Sequence, residues 1–479
     1  MIFNSFEFLL FFPSVFILYW FVFNRRLKLQ NAFVLLVSYI FYGWWSWEFT
    51  GLLLLSTLID YLFGFGVASL DRKKAKFYLW LSIVNNLGIL ALFKYFNFFS
   101  AQFKNGFELI GWKINPIILD FALPIGISFY TFHGMSYVFD IYRNKQKPVT
   151  NFVDYALFVS FFPLLVAGPI ERANHLLPQV QNKRSFSYSQ WVEGSRLILW
   201  GLFKKVVIAD SLSIIVNQVF ADYANQNAYM LIIGAVSFSF QIYCDFSGYS
   251  DIALGTAKLL GFELLSNFKF PYFSRNIAEF WRRWHVSLSS WFRDYLYIPL
   301  GGSKGSKWLS IRNTFIIFLV SGFWHGASWN FIIWGFIHAC CFLPLLIFNQ
   351  NRKYASDVVA QNSLFPTIKE IFQIISTFIV VTFAWVFFRQ NDFHLAIDFC
   401  KRIYLNAKEF PEQFKHFPEI DPSFYWIIPL IIFDWINRKN ERQFLVPKNI
   451  ILRWTLYVLM IFLVFLFSNR DTPFIYFQF

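Results

Sequence analysis

Charged residues are scarce in this sequence. Only 15% of its 479 residues are Asp, Glu, Lys or Arg, whereas an ordinary soluble domain carries about 25%. Hydrophobic residues make up 57% of the chain and aromatic residues 23%, and long apolar runs recur from one end to the other. This composition argues against a soluble protein and predicts one continuous membrane domain over residues 1–479.

The sequence also shows no pattern typical of paired cysteines, of a cleavable leader or of internal repeats. The four cysteines contain no C-x-x-C pair, which argues against a disulfide framework and a structural zinc site. No basic region precedes the first apolar stretch, 8–23, and no small-residue cleavage site follows it, so we expect a retained first helix. The absence of a visible repeat weakens the case for a secondary transporter.

Apolar segments of spanning length are abundant. A membrane-crossing helix needs roughly 20 mainly apolar residues, so the pattern predicts roughly ten to twelve crossings in an all-α polytopic protein. The candidate spans are 6–23, 32–47, 50–69, 77–99, 117–140, 152–168, 195–220, 228–250, 313–348 (long enough for two elements), 368–388, 424–437 and 451–468.

The excess of basic residues gives a net charge of +14. Basic clusters at 25–28, 72–76 and 143–147 alternate with near-neutral loops. Because Lys and Arg concentrate in cytoplasmic loops, these clusters predict an amino terminus on the extracytoplasmic side. For the same reason we assign the positive charge to the cytoplasmic membrane surface and not to a nucleic-acid-binding site.

The region 256–312 interrupts the series of spans. It lacks an apolar run of spanning length and holds nine basic against three acidic residues, with aromatic residues interleaved. This pattern is typical of helices at the membrane interface. We therefore predict a partly re-entrant, cytoplasm-facing layer, in which non-helical backbone is shielded by protein or lines a wet cavity.

The stretch "FWRRWHVSLSSW" in this layer places a histidine among tryptophans. The spacing i, i+3, i+4 and i+7 predicts one helical face made of Trp281, Trp284, His285 and Leu288. Arg282 and Arg283 then point elsewhere, where they can meet phosphates or carboxylates. The alternative for His285 is a core histidine satisfied by a neighbouring carbonyl.

His325, in "GFWHGASWNF", lies in an apolar run, 315–348, that has no Lys, Arg, Asp or Glu. An ionisable residue inside a membrane segment is a functional hypothesis by default, although a packing role is the alternative. A neutral imidazole can take the proton of a hydroxyl and so make it a nucleophile. We predict that 313–348 is the catalytic segment, and we expect His338 and His133 to be structural.

Two further polar stretches have competing interpretations. "YCDFSGYSD" holds Asp245, Ser247 and Asp251, but six residues between carboxylates is not a single-face spacing and no third carboxylate is near. We expect tunnel or structural residues there, paired with the arginines of 275–293, on a helix bent or broken at its glycine. "AGPIERANHL" (167–176) is either an entrance loop or a salt-bridged turn.

These motifs together resemble a known family. "QIYCDFSGYSDIALG", "WRRWHVSLSSWFRDYLYIPLGG" and "FWHGASWNF", with "YGWW" and "VAGPIER" before them, are similar to the bacterial, alginate-acetylating branch of the membrane-bound O-acyltransferase (MBOAT) family. The resemblance implies a ring of helices with re-entrant and interfacial segments around a central tunnel. It also implies a catalytic role for His325 and a second active-site role for His285.

The resemblance further implies the reaction. An acyl thioester, as acetyl-CoA or on an acyl carrier protein, enters from the cytoplasm as a substrate, and no permanent cofactor or metal is expected. Residues predicted to bind the donor are Arg282, Arg283, Arg293, Trp281 and Trp284. The acceptor is an extracytoplasmic polysaccharide, reached directly or through an SGNH-type acetyltransferase partner, at a bacterial cytoplasmic membrane.

Three other functions remain open from the sequence. Within the same class, the chain is also similar to proteins that transfer D-alanine from a carrier protein to teichoic acid. A transporter or flippase for a cell-surface polymer precursor would also explain buried histidines in a polytopic chain. A non-catalytic scaffold for an export machine is the third.

Overall fold

The computed structural model describes the chain except residues 121, 167, 410–419, 443–445, 469–471 and 476–479. The described part is helical and contains no strand, which confirms the all-α class. Its helices are α1 (Phe6–Ile17), α2 (Leu27–Gly43), α3 (Trp47–Val67), α4 (Arg72–Leu90), α5 (Phe96–Leu109), α6 (Ile127–Tyr142), α7 (Phe152–Ser160), α8 (Phe162–Leu165), α9 (Ala173–Gln181), α10 (Tyr188–Leu202), α11 (Asp210–Ala221), α12 (Ala228–Leu259), α13 (Ile277–Arg283), α14 (Val286–Phe292), α15 (Lys307–His325), α16 (Trp329–Ile347), α17 (Ile368–Arg389), α18 (Phe393–Leu405), α19 (Ile427–Asn437) and α20 (Ile450–Phe467).

Six of the described helical stretches are long and apolar enough to cross a membrane. They are Trp47–Val67, Arg72–Leu109, Ala228–Leu259, Trp329–Ile347, Ile368–Arg389 and Ile450–Phe467. The polytopic membrane class is thus confirmed. Other predicted spans form shorter helices because the backbone breaks inside the apolar run. Helix α6, for example, begins only after the left-handed Gly126 (φ 72°), and α7 ends at the non-helical Phe161.

The chain folds as two compact units. Unit 1 contains Met1–Ser195 and Ala253–Leu265, and unit 2 contains Arg196–Ile252 and Ser266–Phe479. Both candidate catalytic histidines belong to unit 2, together with the whole segment 313–348. The single-domain organisation expected for the chain stays a prediction.

A buried carboxylate joins three helices of unit 1. Asp60 on α3 accepts hydrogen bonds from Ser82 Oγ (2.7 Å) and Asn86 Nδ2 (2.9 Å) on α4. Gly134 on α6 leaves room for the carboxylate, because a Cβ there would lie 2.1 Å from Asp60 Oδ2. Polar side chains that bond to one another between helices hold membrane helices together. We therefore assign Asp60 to structure.

The stretch 168–176 is a hydrogen-bonded turn of unit 1. Glu171 is fully buried; its Oε1 accepts the Leu265 N–H (2.6 Å) and its Oε2 lies 2.7 Å from His175 Nδ1. The Glu171 N–H donates to His133 Nε2 (3.0 Å). These contacts favour the salt-bridged turn over an entrance loop, and they give His133 a structural role.

In unit 2, the helical backbone continues through the glycine at which we expected a bend or a break. Helix α12 includes Gly248 without interruption, so the predicted break in the helix is wrong. A Cβ on Gly248 would lie 2.8 Å from the Gly201 carbonyl oxygen, and one on Gly201 would lie 2.5 Å from the Gly248 carbonyl oxygen. Glycine is needed here because two helical backbones touch.

Helices α15 and α16 form the predicted pair of elements within 313–348. Ser328 begins α16, where its side chain accepts the Asn330 N–H (3.4 Å). A Cβ on Gly322 would lie 2.1 Å from the Phe331 carbonyl oxygen, and one on Gly335 would lie 2.2 Å from the carbonyl oxygen of Phe318. The two backbones are therefore in contact, and this fixes α16 against the end of α15.

Replacing Gly335 by alanine tests this contact. The new methyl group overlaps the Phe318 carbonyl, and overpacking of this kind costs about 1–3 kcal/mol. We expect Gly335→Ala to lower the melting temperature of the detergent-purified protein by at least about 2 °C. Gly51→Ala on α3 is the control, because nothing lies within 4 Å of its new Cβ. Equal melting temperatures for the two variants would contradict the close approach.

Candidate active site

His325 is the last residue of α15 and lies in an aromatic cage. It is 4% exposed, and its ring centroid is 4.9 Å from that of Trp324, 5.1 Å from Trp334 and 5.3 Å from Phe388. Trp334 belongs to α16 and Phe388 to α17, so three helices supply the surroundings of one imidazole. The rings shield the imidazole from bulk water, as suits a base that must act on a substrate.

His285 lies between two short helices and not within one. Helix α13 ends before the extended Trp284, and His285 has left-handed backbone angles, φ 42° and ψ 54°. The single helical face predicted for residues 281, 284, 285 and 288 is therefore wrong, because the 3.6-residue period assumes an unbroken helix. The Val286 N–H donates to the Asn267 carbonyl (2.8 Å) at the break.

After the break, the His285 imidazole shares one aromatic neighbour, Trp324, with His325. His285 is fully buried, with its ring edge-on to Phe246 at 4.7 Å and 6.0 Å from Trp324. Burial lowers the pKa of His285 to about 3, so its ring is neutral at physiological pH. Trp324 is thus a neighbour of both histidines, and the structure brings the two predicted catalytic residues together.

A cavity of about 660 Å³ lies in unit 2, lined in part by residues of α15 and α16. Its exposed basic residues are Arg293, Lys307 and Arg352, and its apolar wall includes Trp281, Phe318 and Phe342. The Trp281 ring is 5.6 Å from Trp334, whose ring is 5.1 Å from His325. The cavity wall is therefore two aromatic contacts from the candidate base.

The cavity includes only part of the predicted donor site. Trp281 and Arg293 line it, whereas Arg282, Arg283 and Trp284 are not among its lining residues. Lys307, also on the wall, belongs to the predicted basic layer 256–312 but was not among the residues predicted to bind the donor, and Arg352 was missed altogether. The sequence signal for Arg352 was its place just after the apolar run 315–348.

Arg282 and Arg283 bind the protein itself. Arg283 Nη2 pairs with Glu279 (2.9 Å) and also donates to the Asp357 carbonyl (3.1 Å). Arg282 Nη1 donates to the Asn351 carbonyl (2.9 Å). Both arginines thereby anchor the loop after α16, which borders the cavity. Their direct contact with a donor stays a prediction.

Two consecutive buried lysines pair with the aspartates of α12. Lys204 Nζ lies 2.7 Å from Asp251 Oδ2 and donates to Ser247 Oγ (2.8 Å), while Lys205 Nζ lies 2.9 Å from Asp245 Oδ1. The predicted pairing of these aspartates with arginines is wrong, because the counter-charges come from within an apolar segment. In the part of the chain that is described, no group of three His, Cys, Asp or Glu side chains is arranged to hold a metal.

The end of the described chain is bound to the same helix. Asp245 Oδ2 accepts the Ile475 N–H (2.6 Å), and the Phe474 ring lies 6.1 Å from Phe246. Phe246 is in turn the residue whose ring lies 4.7 Å from His285. Asp245 of the lysine and aspartate cluster is thus adjacent in sequence to Phe246, which contacts His285.

Removing one lysine from the cluster should destabilise the protein strongly. Lys205→Met leaves Asp210 and Asp245, whose side chains are each 3% exposed, without a cation. Breaking a buried ion pair in this way costs about 3–5 kcal/mol. Lys204→Met should cost less, because the Asp251 side chain is 21% exposed. Folded yield and melting temperature in detergent measure both effects, and a larger loss in Lys204→Met would contradict the assignment.

Comparisons with known proteins agree with the motifs. Residues 127–388 match the model of the membrane-bound O-acyltransferase family. The chain is 39% identical over 399 residues to the probable alginate O-acetylase AlgI of Pseudomonas syringae pv. tomato, covering 83% of this chain and 74% of the relative. It is 31% identical to the peptidoglycan O-acetyltransferase of Helicobacter pylori, with 94% and 91% covered. The teichoic acid D-alanyltransferase of Bacillus subtilis is 27% identical, with 56% and 69% covered.

Proposed function

Because this chain belongs to the membrane-bound O-acyltransferase family, we propose that it moves an acetyl group from a cytoplasmic thioester to hydroxyls of an extracytoplasmic polysaccharide. Acetyl is favoured because the two relatives named for O-acetylation match 83% and 94% of the chain, against 56% for the D-alanyltransferase. Membership of an enzyme family speaks against a transporter or a scaffold. The basic cavity residues then face the cytoplasm and the amino terminus lies outside.

The position of His325 is the observation that carries the proposal. The imidazole takes the proton of the acceptor hydroxyl while the hydroxyl oxygen attacks the thioester carbonyl carbon. The carbon–sulfur bond then breaks, and the leaving thiolate takes the proton back from His325. The products are an ester and a free thiol. His285, neutral and next to Trp324, orients or polarises one of the reacting groups.

The cavity supports a thioester donor that carries phosphate. Guanidinium and ammonium groups bind phosphate, and Arg293, Lys307 and Arg352 present three of them on one cavity. Both acetyl-CoA and the phosphopantetheine arm of a carrier protein have this chemistry. The acyl end then lies toward Trp281, the wall residue that leads to His325.

Replacing His325 tests the proposed base. We expect His325→Ala to lower O-acetylation of surface polysaccharide at least about 100-fold, since a general base contributes roughly 10²–10⁴-fold. The acetyl content of polysaccharide from cells that express each variant is measured by mass spectrometry, with membrane abundance as the check on folding. His394→Ala, at an exposed position on α18, is the matched control. Full acetylation without the His325 imidazole would remove it as the base.

Replacing the cavity arginines tests the donor site. We expect Arg293→Ala and Arg352→Ala each to raise KM for acetyl-CoA about tenfold with little change in kcat, because a hydrogen bond to a charged group contributes about 1.5–3 kcal/mol. Lys304→Ala is the control, since Lys304 lies between two cavity residues in sequence but not on the wall.

The same assay with an acetylated carrier protein distinguishes the two donors. The donor that supports turnover, and whose KM rises in the arginine variants, is the substrate at this site. An unchanged KM for both donors in both variants would show that the phosphate binds elsewhere. Purified acceptor polysaccharide, with and without an SGNH-type partner, separates direct from relayed transfer.

A further inference from the structure

One histidine of unit 2 has no part in the proposed reaction, yet it contacts the cavity wall. His338 on α16 is fully buried and accepts a hydrogen bond at Nδ1 from the Trp281 indole Nε1–H (3.3 Å). The two rings are nearly perpendicular, with centroids 5.0 Å apart. The sequence indicated a structural role for His338, and this hydrogen bond gives its imidazole a specific partner on the cavity wall.

The surroundings of His338 hold its ring in one orientation. Phe280 and Phe318 stand nearly parallel to the imidazole, at 6.3 and 6.2 Å and interplanar angles of 3° and 19°. An indole N–H can only donate, so Nδ1 of His338 must be the unprotonated nitrogen. A ring fixed by its neighbours thus offers one acceptor at a defined place, and Trp281 is held by it.

Trp281 connects the cavity to the aromatic residues around His325. It lines the cavity, and its ring is 5.6 Å from that of Trp334. Trp334 contacts both His325, at 5.1 Å, and His338, at 4.9 Å. A rotation of the Trp281 indole would therefore change the cavity wall on one side and the packing around the candidate base on the other.

We propose that His338 is a positioning residue, whose Nδ1 fixes the Trp281 indole so that the acyl end of the bound donor is held in line with His325. The inference rests on the proposed function. It predicts an effect on the chemical step and not on donor affinity, because the basic residues of the cavity are untouched. A small misplacement of reacting groups is enough to slow a reaction by an order of magnitude or more.

A matched set of substitutions tests the acceptor and not only the volume. In His338→Asn the side-chain oxygen can take the place of Nδ1, whereas the longer chain of His338→Gln carries its amide toward the place of Nε2. His338→Leu fills space without an acceptor, and Trp281→Phe keeps a ring without the donor. Each full-length variant is purified in detergent and assayed for kcat and KM with acetyl-CoA.

We expect kcat to fall about tenfold in His338→Leu and His338→Gln, with KM unchanged, and to stay within about threefold of wild type in His338→Asn. The double variant Trp281→Phe/His338→Leu should be no slower than Trp281→Phe alone, because the two changes remove one hydrogen bond. Melting temperatures of the same samples show whether each variant is folded.

Three results would overturn the positioning role. The first is a wild-type kcat in His338→Leu, and the second is an equal loss in the Leu, Gln and Asn variants, which would mean that only ring volume matters. The third is additive losses in the double variant. A wild-type protein that transfers no acetyl group would instead overturn the proposed function, and it would do so whatever residue stands at 338.

Discussion

The backbone contact between α15 and α16 is the constraint on which the candidate site depends. Gly322 and Gly335 let the two helices touch, and a side chain at either position would collide with a carbonyl of the partner helix. The contact brings Trp334 of α16 to the end of α15, where His325 lies, and it sets His338 beside Phe318 further back on α15. The aromatic cage thus depends on the two glycines, because a side chain at either position would keep the helices apart.

The buried ion pairs between the lysines at 204 and 205 and the aspartates of α12 are the second constraint. Lys205 is 1% exposed and meets Asp245, whose other oxygen binds the backbone near the end of the chain. Removing one partner of a buried ion pair leaves an uncompensated charge, so this arrangement persists only with both partners in place. That arrangement includes Phe246, which packs against His285.

Much of this could be predicted from the sequence, and the failures have physical causes. The membrane class, the all-α fold and the division of 313–348 followed from composition and run length. The prediction of one helical face containing His285 is wrong because helical periodicity cannot reveal a left-handed residue in the middle of the pattern. Lys204 and Lys205 were missed because their partners on α12, Asp251 and Asp245, lie 47 and 40 residues further along the chain. Arg352 was missed because residues that line one cavity are close in space but can be far apart along the chain.

The break at His285 is best understood as part of the site. A left-handed backbone at a non-glycine residue costs about 1–3 kcal/mol and persists only where its surroundings impose it. In an unbroken helix His285 would share the face of Trp281, and both rings would point to one side. With the break, Trp281 lines the cavity while His285 packs edge-on to Phe246 and near Trp324. The strain thus separates the wall that meets the donor from the histidine that stands beside His325, which a continuous helix of the same sequence could not do.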